Sequence, residues 1–141
     1  MDCIFCEILS GGRPSHMIYG DADYAAFLDR YPIETGHALI VPRIHRERIT
    51  DMDPADVGRL FELAPRIARA VMAGTGADAF SLAQNNGRAA RQIVPHVHVH
   101  VIPRYSGKGA VWTSRSIPGE DELGRVADMI RPHLQDESPR T

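Results

Sequence analysis

The segment that most constrains the fold of this chain is residues 96–102, which read HVHVHVI. Strict alternation of this kind is typical of a half-buried β-strand, and valine and isoleucine favour strands. Residues two apart on a strand share a face, so the three histidines line one side and the valines face a core. Histidine acts as nucleophile, acid, base or metal ligand near neutral pH. The pattern therefore predicts that this strand carries the chemistry of the molecule.

The remaining periodicity predicts further strands over residues 17–19, 24–28, 37–41 and 79–84, with the histidine strand over 94–103. Helices are predicted over 3–10, 54–72 and 120–134, and a frayed tail over 136–141. Asp53 followed by Pro54 is a good helix start, and Pro65 is expected to kink or shorten that helix. Strands with one long helix inserted predict an α+β domain on an antiparallel sheet, covering residues 1–141.

The composition bounds the class of protein. A hydrophobic fraction of 43%, a charged fraction of 24% and a net charge of −2 are ordinary for a globular domain. They argue against a nucleic-acid or membrane partner. The N-terminus lacks the pattern of a secretion signal, so a cytoplasmic location is expected. Cys3 and Cys6 are then thiols or metal ligands rather than a disulfide.

The spacing of the histidines divides them between tasks. Same-face neighbours on a strand lie about 6.6–6.8 Å apart, so His96 and His100 are about 13 Å apart, too far to share one metal easily. We expect His98 and His100 to act together. The preceding loop, residues 84–92, combines amide side chains, a glycine and free backbone N–H groups, which suit a phosphate cradle. Taken alone, the same loop is also compatible with a plain Asn-Gly turn.

These motifs together resemble the histidine-triad (HIT) family of nucleotide hydrolases and transferases, most closely its Hint-like bacterial branch. The resemblance rests on the HVHVHVI segment and on residues 3–6, 26–29, 36–42 with His45, and 84–87, in family order over roughly residues 3–105. It leaves residues 106–141 as a C-terminal extension with a helix. It implies an antiparallel α+β sheet and a homodimer in which two sheets join, although the apolar stripe of 54–72 would serve a monomer core equally well.

The resemblance also implies roles for four polar residues. His98 would attack the α-phosphorus of a bound purine nucleotide, while its other nitrogen donates to a backbone carbonyl. His100 would contact phosphoryl oxygens and assist charge or proton delivery. His37 and Asn85 would complete the phosphate site.

Further residues would bind the substrate. By the same resemblance Asp29 would read the ribose hydroxyls. The base pocket would be walled by Phe5, Phe27 and Leu28, and the phosphate loop includes Gly87 and Gln92. One departure is Arg91, where many relatives carry glycine; it either points outward or adds a cation facing the phosphates.

The cysteine pair is a separate motif. On its own Cys3-x-x-Cys6 is also compatible with a redox pair or two buried thiols. With His45 and His96 it would form a Cys₂His₂ set for a structural Zn²⁺, as in some bacterial HIT proteins. Catalysis would not require the metal.

Four hypotheses about function follow, and the first two are enzymatic. The leading prediction is a hydrolase of purine nucleoside phosphoramidates or related nucleotide conjugates. A dinucleoside-polyphosphate hydrolase or nucleotidylyltransferase would differ only in leaving group or acceptor. A nucleotide-binding sensor or interaction module would bind without turnover, and a purely structural zinc module would leave His98, His100 and His37 unexplained.

Overall fold

Five antiparallel strands form one sheet in the order β1-β2-β3-β5-β4 in this computed structural model, which describes residues 3–135. The strands are β1 Met17–Gly20, β2 Tyr24–Leu28, β3 Ala38–Pro42, β4 Ala79–Ala83 and β5 Val99–Arg104. Together with the helices they confirm the predicted α+β class. The pairing of β3 with β5 joins the segment containing His37 to the histidine segment, and Leu39 lies opposite His100.

Within residues 3–135, four α-helices accompany the sheet: α1 Ile4–Leu9, α2 Pro54–Thr75, α3 Glu120–Ile130 and α4 Pro132–Gln135. The apolar stripe of α2 packs within the same chain, since its residues Leu60, Ile67 and Val71 are buried. They belong to the same core as the three valines of the histidine segment. The valine face therefore meets a core, as predicted. In the described part of the chain no helix is long and apolar enough to cross a bilayer.

The histidine segment differs from the prediction in two respects. Paired strand begins only at Val99, because Pro95 has no N–H and Val97 donates its N–H to the carbonyl of Arg46 rather than to a neighbouring strand. The histidine side is also not open to solvent: His96, His98 and His100 are 0%, 6% and 7% exposed. The segment is thus buried on both sides rather than half-buried.

The helices also correct the prediction. Helix α2 continues through Pro65, which lies on its exposed side one turn beyond the exposed Phe61. The carbonyl of residue 61, which Pro65 deprives of its usual donor, is therefore on the solvent side of the helix. The predicted 120–134 helix is divided at Arg131, before Pro132. The predicted frayed tail lies outside the described residues.

Candidate active site and metal centre

His98 is held by its own chain in one tautomer. Its Nδ1 donates to the carbonyl oxygen of His96 over 2.7 Å, because the bend before β5 turns that carbonyl back towards the ring. A neutral imidazole with a proton on Nδ1 carries its lone pair on Nε2. The geometry therefore leaves Nε2 of His98 as an unprotonated nitrogen, as a nucleophile requires.

A second chain of hydrogen bonds fixes His37 and His100. The backbone N–H of Ile33 donates to Nδ1 of His37 over 3.0 Å, so the proton of His37 is on Nε2. That nitrogen lies 2.9 Å from Nδ1 of His100 and donates to it. The proton of a neutral His100 is consequently on its Nε2. The ring of His100 lies 4.8 Å from that of His98, centroid to centroid, so a donor stands beside the nucleophile.

Burial keeps these rings uncharged. Desolvation lowers the pKa of His37 to about 4 and that of His100 to about 3, and it also lowers the pKa of His98. Since all three values lie below the ordinary value near 6.5, the rings are neutral at neutral pH. The hydrogen-bond directions deduced above for neutral rings therefore apply at neutral pH.

The loop after β4 is tied back to the body of the protein by two amide side chains. Asn86 accepts from the N–H of Ile49 over 2.8 Å. Gln92, 3% exposed, accepts from the N–H of Gly87 and donates to the carbonyl of Glu47, both over 2.6 Å. The structure thus gives Gln92 a positioning task, and its role as a phosphate ligand remains a prediction. The sequence reasoning predicted no separate role for Asn86, because its only signal in the sequence is its position beside Gly87.

Asn85 is differently placed from its neighbours. The register of β4 and β5 pairs Ala83 with His100, so continuing it by two residues brings Asn85 level with His98. In the described part of the chain its side-chain amide has no hydrogen-bond partner. An amide at this position is available to an oxygen atom held beside His98.

Arg91 points outward. It is exposed and adopts a left-handed backbone conformation, with φ of 68°, at the end of the 3₁₀ turn Arg88–Ala90. Glycine adopts that conformation without steric cost, whereas a side chain is strained there. The structure therefore favours the first of the two alternatives considered for Arg91.

Asp29 follows β2 and has two partners already. Its Oδ1 accepts from the N–H of Tyr31, and its Oδ2 accepts from Nη1 of Arg115, both over 2.9 Å. Oδ2 also lies 3.6 Å from Nε2 of His37, which places the carboxylate beside the histidines. Arg115 was missed by the sequence reasoning, since nothing in its local pattern links it to residue 29.

The three predicted apolar wall residues do not share one face. Phe5 packs edge-on against Phe27, with ring centroids 5.3 Å apart, and against His98 at 5.1 Å. Leu28 belongs instead to the core beneath α2, because successive strand residues point to opposite sides. Phe5 and Phe27 thus line the histidine face, and Leu28 does not.

Cys3, Cys6, His45 and His96 converge as the sequence predicted. One ligand atom from each lies within 4.8 Å of the others. The Cys3 Sγ–His96 Nδ1 and Cys6 Sγ–His45 Nδ1 distances are both 3.4 Å, and the two Nδ1 atoms are 3.2 Å apart. The edges of a tetrahedron with zinc bonds of about 2.0–2.3 Å measure about 3.3–3.8 Å, so the donor set fits Zn²⁺ in type and spacing.

The orientation of His96 supports the same fit. Its Nε2 donates to the carbonyl of Pro42 over 2.8 Å, which leaves the lone pair on Nδ1, the atom that faces the cysteines. The backbone carbonyl of the same residue orients His98. His96 therefore belongs to the cysteine cluster through its ring and to the histidine site through its main chain.

Comparison with known proteins gives matches across the chain. The HIT domain model matches residues 10–107. The adenylylsulfatase HINT3 of Arabidopsis thaliana is 34% identical over 138 residues, covering 94% of this chain and 70% of that protein. The adenosine 5′-monophosphoramidase hnt1 of Schizosaccharomyces pombe is 35% identical over 124 residues, covering 86% of this chain and 90% of that protein.

A solved structure agrees. The zinc-bound histidine triad family protein of Mycobacterium smegmatis is 36% identical, with a TM-score of 0.87 over 96% of this chain and 94% of that chain. The strand order, the paired histidines and the family model all lead to one assignment: this chain belongs to the histidine-triad (HIT) family.

Proposed function

We propose that the protein hydrolyses purine nucleoside phosphoramidates or related nucleotide conjugates at the α-phosphate, with His98 as nucleophile. The observation that carries the proposal is the bond from His98 Nδ1 to the His96 carbonyl, which leaves Nε2 unprotonated. A nucleotide sensor needs no such arrangement.

The chemistry proceeds in two displacements. Nε2 of His98 forms a bond to the α-phosphorus, and the bond to the leaving group breaks with its electron pair on the leaving atom. A leaving amine takes its proton from solvent, and His100, oriented by the bond that His37 donates to its Nδ1, stabilises the departing group by donating a hydrogen bond from Nε2. Water then attacks phosphorus, releases a proton to solvent and displaces His98, which gives the nucleoside monophosphate. His98 is restored when its bond to phosphorus breaks.

Several features support a nucleotide conjugate as substrate. The two relatives named above act, by their names, on adenosine 5′-phosphate conjugates. Asp29 at the end of β2 provides a carboxylate for ribose hydroxyls, and Phe5 and Phe27 offer apolar surface for a base. The amide of Asn85 would bind a phosphoryl oxygen, with the loop held in place by Gln92 and Gly87.

We also propose that Cys3, Cys6, His45 and His96 hold a structural Zn²⁺. Support comes from the tetrahedral spacing of the four ligand atoms and from the zinc-bound relative. The metal would cross-link the N-terminal segment to the residues before β5. No chemical step requires it, because the reacting groups lie on His98, His100 and His37.

A homodimer with its sheets joined is proposed as the assembly. Strand β4 ends the sheet, so one edge of its backbone faces away from β5. On this strand Phe80 and Leu82 are 38% and 42% exposed. An edge strand with exposed apolar side chains is suited to pairing with a second copy.

The test of the activity compares three chains with adenosine 5′-phosphoramidate at neutral pH: wild type, His98→Ala and the control His133→Ala. His133 lies on the exposed side of α4. We expect kcat/KM to fall about a thousandfold or more in His98→Ala, because the nucleophile is lost, and to stay at the wild-type level in the control.

Binding of AMP by the His98→Ala protein, measured by calorimetry, would show that its site is still folded. A wild type that binds AMP but releases product no faster than His98→Ala would contradict the proposal and favour a sensor. Turnover confined to dinucleoside polyphosphates would reassign the leaving group.

A further inference from the structure

The segment after β5 returns to the histidine site. Residues 105–116, here called the C-terminal strap, are tied to the turn between β2 and β3. Tyr105 Oη donates to the carbonyl of Thr35 over 2.7 Å, and Lys108 Nζ lies 3.0 Å from the buried carboxylate of Glu34. That turn carries Asp29 at its start. These two contacts therefore hold the C-terminal strap beside the turn that begins at Asp29.

Arg115 is the side chain that the strap brings there. Its Nη1 donates to Asp29 Oδ2 over 2.9 Å and to the carbonyl of Tyr31 over 2.6 Å. Both bonds use one nitrogen, and within residues 3–135 no partner is found for Nε or Nη2. A guanidinium offers five N–H groups in a planar fork. Arg115 is thus anchored by one nitrogen and keeps the Nε–Nη2 edge for another acceptor, with its side chain 38% exposed.

Arg115 is connected to the histidines through Asp29, whose Oδ2 lies 3.6 Å from Nε2 of His37. Burial is the largest cause of the low pKa of His37 and of His100, and the positive charge of Arg115 is one of the smaller causes that lower both. These rings are therefore neutral when substrate arrives, and they do not balance the charge of a phosphoryl group. Arg104, the other arginine that acts on His37, is 8% exposed and already contacts Ser81, Val111 and the ring of Trp112.

We propose that Arg115 determines leaving-group specificity by binding a second oxyanion, such as a sulfate joined to the α-phosphate, through its Nε–Nη2 edge. The inference rests on the proposed function and specifies that the related nucleotide conjugates within it include anhydrides with an anionic leaving group. Planar, two-point hydrogen bonding of tetrahedral oxyanions is characteristic of arginine.

The chemistry distinguishes two kinds of leaving group. When His98 displaces sulfate, the phosphorus–oxygen bond breaks with its electrons on the sulfate oxygen, and the dianion leaves without a proton. When His98 displaces ammonia, the departing nitrogen must take a proton, and its neutral form has no charge for Arg115 to bind. Loss of Arg115 should therefore lower kcat/KM more for the phosphosulfate than for the phosphoramidate.

The experiment measures kcat/KM for two substrates with the same nucleotide half, adenosine 5′-phosphosulfate and adenosine 5′-phosphoramidate. The quantity compared is the ratio of the two values. We expect Arg115→Gln to lower the phosphosulfate-to-phosphoramidate ratio about tenfold or more, as expected for the loss of a charge-assisted bond. Arg115→Lys should restore it only in part, because lysine keeps the charge but loses the fork.

Arg125→Gln is the matched control, since it removes one exposed arginine charge from α3. This variant should keep the wild-type ratio. If Arg115 only positions Asp29, both substrates lose equally, the ratio stays constant, and the inference is overturned. Turnover of the phosphoramidate alone by the wild type overturns it too. Failure of the proposed function looks different, since neither substrate would then be hydrolysed.

Discussion

At the scale of single residues, the two nitrogens of each histidine have separate tasks. In His98, Nδ1 donates to the main-chain carbonyl of His96, and Nε2, on the other side of the ring, carries no proton. In His37 and His100 the hydrogen bonds run in one direction, from the N–H of Ile33 through both rings. A neutral state of all three rings is required for this arrangement, and this requirement sets the pH dependence.

We predict that kcat/KM for adenosine 5′-phosphoramidate stays flat from about pH 8 to below the ordinary histidine pKa of about 6.5. Burial lowers the pKa of the nucleophile His98, and it lowers the pKa of His37 to about 4 and that of His100 to about 3. The rate should fall only below the ordinary value, when His98 gains a proton and loses its nucleophilic lone pair. A pH–rate profile corrected for uncatalysed hydrolysis checks this, and an inflection near 6.5 would contradict it.

Sequence reasoning predicted which polar residues would come together because their types are rare in combination and their spacing is regular. The histidine row, Asp29 and the cysteine pair all come together in the structure. The carbonyl partner of His98 was expected from the family resemblance. The tautomers of His37 and His100 were beyond reach, because they depend on the N–H of Ile33 and on a contact between the two rings. Arg115 was also beyond reach, since only the path of the strap brings it to Asp29.

At the scale of elements, the close packing of α2 and α3 depends on one glycine. A Cβ at Gly74 would lie 2.7 Å from the carbonyl oxygen of Met129 and 2.9 Å from the Cα of Ile130. Both are backbone atoms of α3 that cannot turn away as a side chain can. Another glycine of α2, Gly58, is exposed, and a Cβ added there would have nothing within 4 Å.

We expect opposite effects from the same substitution at these two glycines. Gly74→Ala should lower the free energy of unfolding by about 1–3 kcal/mol, because α3 must move. Gly58→Ala should raise it by about 0.5–1 kcal/mol through helix propensity alone. Urea denaturation of both variants measures the difference, and changes of the same sign would show that α3 does not constrain position 74.

Element boundaries were predicted well where local signals exist. Helix α2 begins at Pro54 as expected and ends before Gly76, whose φ of 75° is the left-handed conformation typical of a helix end. The start of β5 was predicted too early, because the alternation continues through residues 96–98 while their partners are loop residues such as Arg46. Hydrophobic alternation reports burial, and a strand also needs a hydrogen-bonding neighbour.

At the scale of the whole molecule, the proposed zinc should contribute to stability. We expect purified protein to contain about one equivalent of zinc, and chelation to lower the Tm by about 5 °C or more, since bound metal stabilises only the folded state. Cys6→Ser, which removes one ligand, should abolish the response to chelator. Metal-free, fully reduced wild type with an unchanged Tm would refute the site.

The proposed homodimer predicts a mass near twice 15.6 kDa by light scattering. Leu82→Lys should shift the protein towards a monomer, because it places a charge on the exposed edge strand. Met129→Lys, an equally drastic change at a residue that is 46% exposed on α3, should leave the mass unchanged. A monomeric wild type at all concentrations would contradict the assembly.

His96 gives this architecture a thermodynamic consequence. Its ring belongs to the cluster that fits zinc, while its carbonyl sets the direction of the His98 ring. An ion that never touches the substrate would then alter how well the nucleotide is held, and linkage requires the nucleotide to alter metal affinity by the same factor. Starving the protein of zinc would thus weaken nucleotide binding before it unfolded the chain, making substrate affinity a measure of metal supply.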